Sequence, residues 1–143
     1  MKIIIIFFQL LFLFICEKAI DKRLSCKDFK IGKFQLISKD TKRKYLIKRT
    51  KDFQIEQTFD LTTNKKIKKD RYYKITWKND CEYSLLLDTS KSEYDEIDLY
   101  VNSVGGYKCL IRSVENNCAT VETNVEEDHF NSKICIVINK VIQ

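Results

Sequence analysis

Six cysteines and a single histidine are the residues here with the most chemistry to offer. The cysteines are Cys16, Cys26, Cys81, Cys109, Cys118 and Cys135. No two of them stand in C-x-x-C, so a thioredoxin-type redox site is not expected. No Cys/His set has the spacing of a zinc site. His129 lies in Glu126-Glu127-Asp128-His129, a polar stretch in which an imidazole is ordinarily solvated. Carboxylates crowd residues 93–98, and paired acids hydrolyse glycosides when their separation in space is right. An acidic stretch is more commonly a solvated face. The chain has no G-x-S-x-G, no H-E-x-x-H and no phosphate-cradling glycine loop. The expectation is a protein that is not an enzyme and uses no cofactor or metal. A small hydrolase built on His129 or the acids is the third reading.

Cysteine chemistry depends on compartment. Residues 1–15 read MKIIIIFFQLLFLFI, with Lys2 before an apolar run broken only by Gln9. The run suits a signal-peptide core and is short for a membrane span. Charge resumes at Glu17, Lys18, Asp21, Lys22 and Arg23. We therefore expect a signal peptide over 1–15 with cleavage near Cys16, a linker over 16–25 and one β domain over 26–143. The protein is expected to be exported, and periplasmic, envelope-associated or secreted. Cys16 stands where a bacterial lipoprotein carries its acyl chains, but Ile15 is larger than the residue that processing prefers. Lipidation with membrane anchoring and ordinary cleavage both stay open. Export places the remaining thiols where disulfides persist.

The elements that must position these residues read as short strands. Tyr73-Lys74-Ile75-Thr76-Trp77-Lys78 alternates strictly, and Phe53-Gln54-Ile55-Glu56 does the same, with Phe59 later on the same face. Tyr45 and Ile47 take the odd positions of the preceding run. Further strands are expected over 33–38, 82–87, 96–104, 106–114, 118–124 and 133–141, with a short helical turn near 89–95. Nine short segments with polar connections indicate an all-β antiparallel meander of about 8–9 strands, closed into a barrel or stacked as a β-sandwich. Ile134-Cys135-Ile136-Val137-Ile138 lacks alternation and is expected to be covered on both faces or to lie at an edge.

Parity sharpens the register, because a one-residue slip sends a side chain to the other face. A three-residue loop over 50–52 sets Arg49 opposite Phe53, Ile47 opposite Ile55 and Tyr45 opposite Gln57. Tyr45, Ile47, Arg49, Ile55, Tyr73, Ile75 and Trp77 then share the inner face as the candidate lining of a cavity. Arg49 there needs company, from Phe53 by stacking or from Glu56 by charge, unless its head reaches water at a barrel mouth. A loop over 115–117 sets Ile111 opposite Val121, turns Cys109 inward and Cys118 outward, and disfavours a bridge between them. Gly105-Gly106 suits a hairpin turn, yet that turn leaves Leu99 and Val101 on the wrong face.

Charge divides along the chain. Residues 39–78 hold a large excess of Lys and Arg, and residues 79–128 an equally large excess of Asp and Glu, within an overall +6. The run Lys65-Lys66-Ile67-Lys68-Lys69 reads as a solvated loop, or as an attractor for anionic surfaces. Nucleic acid is not expected as a partner of an exported chain, and the alternation of Tyr73 and Trp77 explains them as core rather than as base-stacking rings.

Two motifs carry a family resemblance. Ser25-Cys26-Lys27-Asp28-Phe29-Lys30-Ile31-Gly32-Lys33-Phe34 and Ile75-Thr76-Trp77-Lys78-Asn79-Asp80-Cys81-Glu82-Tyr83 resemble small exported or lipid-anchored bacterial proteins with C-x-D-F-x-x-G-x-F early and W-x-x-[DN]-C-E-[YF] in mid-chain. Sequences of this kind have at times carried a DNA topoisomerase label, which a chain of this size does not support. The resemblance spans about residues 25–125, implies a Cys26–Cys81 disulfide and brings no established activity. More distantly, Gly32-Lys33-Phe34 resembles the G-x-W opening of lipocalin-like (calycin-type) barrels, with Phe34 in place of tryptophan. That likeness implies a barrel, with a β-sandwich as the alternative. Three functions follow: an envelope-associated barrel binding a small apolar ligand or lipid, a filled barrel serving as a structural or protein-interaction module, or the small hydrolase.

Overall fold

The computed structural model describes residues 23–138. The expected signal peptide, Cys16 and the last residues of the strand expected over 133–141 lie outside the described residues. A 3-10 helix, Cys26–Phe29, leads into eight strands: β1 (Gly32–Ser38), β2 (Arg43–Arg49), β3 (Phe53–Asp60), β4 (Arg71–Trp77), β5 (Glu82–Leu87), β6 (Tyr107–Glu115), β7 (Cys118–Val125) and β8 (Asp128–Ile136). Each pairs antiparallel with the next and β8 returns to β1, so the sheet closes into a barrel rather than a sandwich. One helix, α1 (Glu96–Ser103), joins β5 to β6.

This helix replaces the strand expected over 96–104, and lies just beyond the helical turn expected near 89–95. Local chemistry explains it. The Asp95 carboxylate accepts from the Asp98 backbone N–H, and Asp98 reaches back to the Asp95 N–H, a reciprocal cap on the first turn. At the other end Gly105 and Gly106 adopt φ of +95° and +79°. The Gly106 N–H donates to Val101 O and the Gly105 N–H to Asn102 O, the bonding of a Schellman stop. The two glycines end a helix instead of turning a hairpin. The mismatch of Leu99 and Val101 disappears because they are not strand residues.

Two hairpins decide what faces inward. Thr50 N–H donates to Phe53 O at 2.8 Å, so the β2–β3 connection is the two-residue turn Lys51-Asp52, not a three-residue loop. The pairs are Arg49↔Gln54, Ile47↔Glu56 and Tyr45↔Thr58. The face of β3 is therefore opposite to the expected one. Gln54, Glu56 and Thr58 point inward, while Phe53 and Ile55 point outward. Lysine ammonium groups lie over the outward rings: Lys91 Nζ is 5.2 Å from the Phe53 centroid and Lys44 Nζ 5.2 Å from that of Phe59. Between β6 and β7 the turn is Asn116-Asn117, and Ile111 does face Val121 because a bulge at Arg112 absorbs one residue.

The barrel has a closed end and an open end. At the closed end the 3-10 helix drives Phe29, fully buried, against Phe34, with ring centroids 5.5 Å apart. Cys26 and Cys81 are bridged (S–S 2.06 Å), tying that helix to the β4–β5 turn. Cys118 and Cys135, opposite each other on β7 and β8, form a second bridge on the outer face. Cys109 is inward, buried and free. In the chain-entropy account the two bridges contribute about 4 and about 3 kcal/mol. Ile134 points into the core while Cys135 points out to its disulfide, so the start of the run that lacked alternation is covered on both faces, whereas Ile138, past the end of β8, is exposed.

Candidate functional site

Above the plugged end lies a chamber of about 730 Å³, open at the other end of the barrel. Tyr45, Ile47, Arg49 and Tyr73 line it, as the inward parity of β2 and β4 requires. Ile55 does not, because the two-residue turn puts it outside. Ile75 and Trp77 are inward but lie in the packed layer beneath, where Trp77 rests on Tyr83 with centroids 4.6 Å apart. Much of the remaining wall comes from residues that the apolar pattern did not mark: Gln54, Glu56 and Thr58 on β3, Arg71 on β4, Tyr83 and Leu85 on β5, Tyr107 and Cys109 on β6, Val121 and Thr123 on β7. Apolar and hydrogen-bonding groups thus face the same space, the latter concentrated on β3.

Arg49 forms the floor. It is 3% exposed, so its head is not in water at a mouth. Its Nη1 donates to Phe29 O at 2.9 Å, Nε to Gln54 Oε1 at 2.6 Å and Nη2 to Tyr83 Oη at 2.6 Å. The guanidinium also lies over the Tyr83, Phe34 and Trp77 rings, at 4.5, 5.4 and 5.9 Å. Phe53 takes no part. Glu56 meets Arg49 only through Gln54, whose Nε2 donates to Glu56 Oε1 at 2.7 Å. The planar fork of arginine supplies donors in three directions at once, which one ammonium does not.

Glu56 is the titratable group of the chamber. It lies deep in the barrel, yet its carboxylate faces the open volume. Burial pushes its pKa above the ordinary glutamate value, against the Gln54 hydrogen bond and the fields of Arg71 and Arg49. A folded-state pKa above the unfolded one means the native protein binds more protons, so stability falls as pH rises from the ordinary carboxylate range through the raised value. Glu56→Gln keeps an acceptor for Gln54 and removes the charge. Its melting temperature is expected to exceed that of the wild type at neutral pH and to match it below the ordinary glutamate range, as read by circular dichroism melts across pH. Equal melting at every pH contradicts the assignment.

At the rim, Arg71 pairs with Asp98, the buried acid that also caps α1. This contact explains why the helix sits over the β4 side of the opening. Burial also raises the pKa values of the Tyr73 and Tyr83 phenols and of the Cys109 thiol, so these wall groups are neutral. His129 is exposed on β8, apart from the chamber wall. Among the described residues no cluster of three or more His, Cys, Asp or Glu is arranged to hold a metal ion, and no helix is long and apolar enough to cross a membrane.

Compared with known proteins, the chain matches no family model, no curated protein and no solved structure.

Proposed function

We propose that this protein is an exported small-molecule-binding barrel, and that the chamber above Arg49 is its binding site. The chamber carries the reading. Eight-stranded barrels are either filled by side chains or left with room for one small ligand, and about 730 Å³ lies within the usual range of ligand sites. A filled interaction module expects no such space. The wall changes the ligand class expected from the sequence. Glu56, Gln54, Thr58, Thr123 and Arg71 face the same space as Ile47, Leu85 and Val121, which favours an amphipathic ligand over a purely apolar one. The two disulfides fit an oxidising compartment, as export requires.

Trp77, the one tryptophan, lies beneath the chamber and reports on it. An environment-sensitive fluorescent dye such as anilinonaphthalene sulfonate is expected to bind at one equivalent with energy transfer from Trp77. Thr58→Phe places a large ring in the space without adding a second tryptophan and is expected to abolish that signal while leaving the far-ultraviolet spectrum unchanged. Undiminished binding by Thr58→Phe overturns the chamber as the site.

A further inference from the structure

The barrel is not sealed equally along every seam. β1 pairs with β2 over seven positions and β8 with β7 over eight, but β1 and β8 pair over three, Phe34↔Ile136, Gln35↔Cys135 and Leu36↔Ile134, with one further bond from Val137 N–H to Lys33 O at the plugged end. Those three lie toward the plugged end. Beyond them, toward the open end, the two strands part, and the chamber reaches out between them. Residues 37–40 form one bank and residues 130–133 the other, and all of them line the chamber. Each bank carries one exposed apolar side chain, Ile37 (48% exposed) on one and Phe130 (52%) on the other. Each lip has a cation beside it, Lys39 on one bank and Lys133 on the other, and the inward Arg43 stands behind them on β2. Among the described residues none of these three cations makes an ion pair or a side-chain hydrogen bond. Asp40 is the one carboxylate on the two banks.

Unpaired cations beside exposed Ile37 and Phe130, at a slit that opens into a chamber with both apolar and polar walls, match one kind of molecule. We infer that the ligand is a small amphipathic anion, its acidic group held in the β1/β8 seam by Lys39, Arg43 and Lys133 and its apolar body in the chamber. This rests on the chamber being a binding site. The seam adds the sign of the ligand's charge and the place where that charge sits. A cationic amphiphile would meet the three cations before it reached Glu56. A neutral one would leave them unused.

The test compares three probes with the same alkyl chain, dodecanoate, dodecanol and dodecyltrimethylammonium, titrated below the micelle concentrations of the two ions and the solubility limit of the alcohol against the disulfide-bonded protein at low salt. Trp77 emission is the readout. Dodecanoate is expected to bind roughly tenfold more tightly than dodecanol, a preference that shrinks as salt screens the seam. The Lys39→Gln/Arg43→Gln/Lys133→Gln variant is expected to bind both alike, with dodecanol affinity unchanged. Equal binding of all three probes by the wild type, or preference for the ammonium, overturns the acidic-ligand assignment and leaves the chamber standing. No binding of any probe removes the chamber reading and this inference with it. Dodecanoate or anionic phospholipid vesicles that bind Thr58→Phe as well as wild type are adsorbed at the rim, which also overturns the assignment.

Discussion

Arg49→Met is expected to lower the unfolding free energy by on the order of 3–5 kcal/mol. The change takes the guanidinium from three buried acceptors, Phe29 O, Gln54 Oε1 and Tyr83 Oη, of which the Tyr83 phenol keeps its contact with Cys109. The first of these holds the 3-10 helix over the barrel end, so the Phe29 plug loosens with it. The loss of a buried charge offsets part of the cost, because an arginine without a carboxylate in contact is itself expensive to bury. Three charge-assisted hydrogen bonds outweigh that gain. Arg49→Lys is expected to recover only a minor part, because one ammonium does not reach all three acceptors. Urea unfolding of the disulfide-bonded protein measures both variants. Midpoints within error of the wild type would mean that Arg49 does not hold the floor.

The second large effect is expected at Gly106. A Cβ there would lie 2.2 Å from Leu85 O, a backbone atom of β5 that has no room to move, and the φ of +79° adds left-handed strain. Gly106→Ala must displace either the stop of α1 or the β5–β6 ladder, at about 3 kcal/mol or more. Gly105 provides the control. Its φ is also positive, but an added Cβ meets nothing within 4 Å, so Gly105→Ala is expected to cost about 1 kcal/mol. Thermal melts of the pair separate collision from strain. Equal losses would contradict the close packing of Gly106 on β5.

The barrel was legible because alternation survives closure: seven of the eight strands fall on segments marked by short periodic runs, and the eighth, β8, begins earlier than its apolar run suggests. Two failures have separate physical causes. Residues 96–104 contain enough Ile, Leu, Tyr and Val to read as a strand, but Asp95, Asp98 and the paired glycines cap a helix at both ends, and a capped turn outweighs propensity over eight residues. The sequence signal was present, in an Asp three residues before another Asp and a Gly-Gly stop.

The reversed face of β3 is more instructive. Its alternation matches the sequence pattern, but the polar set rather than the apolar set faces inward. The usual rule sends apolar residues inward because the interior is packed. Here the interior opposite Ile47 and Tyr45 is open space, and the polar side of β3 faces it. That inversion is why Gln54 and Thr58 carry no apolar signal as wall residues, why Glu56 is suggested only as a partner of Arg49, and why Ile55 lies outside the chamber. Arg49 was the available clue. An arginine fixed among inward apolar residues calls for hydrogen-bonding partners on the facing strand, and Gln54 with Glu56 supplies that network only when the turn is Lys51-Asp52. The seam between β1 and β8 had no local signature, because it depends on where the last strand stops pairing with the first.

The central claim is that the chamber holds a ligand. The most direct measurement is a native, non-reducing intact mass of the protein purified from the cells that make it, recorded again after denaturation. The account predicts a non-covalent increment at one equivalent that is lost on denaturation, with the released molecule detected in negative-ion mode as an amphipathic acid. A mass that is the same before and after denaturation would contradict it.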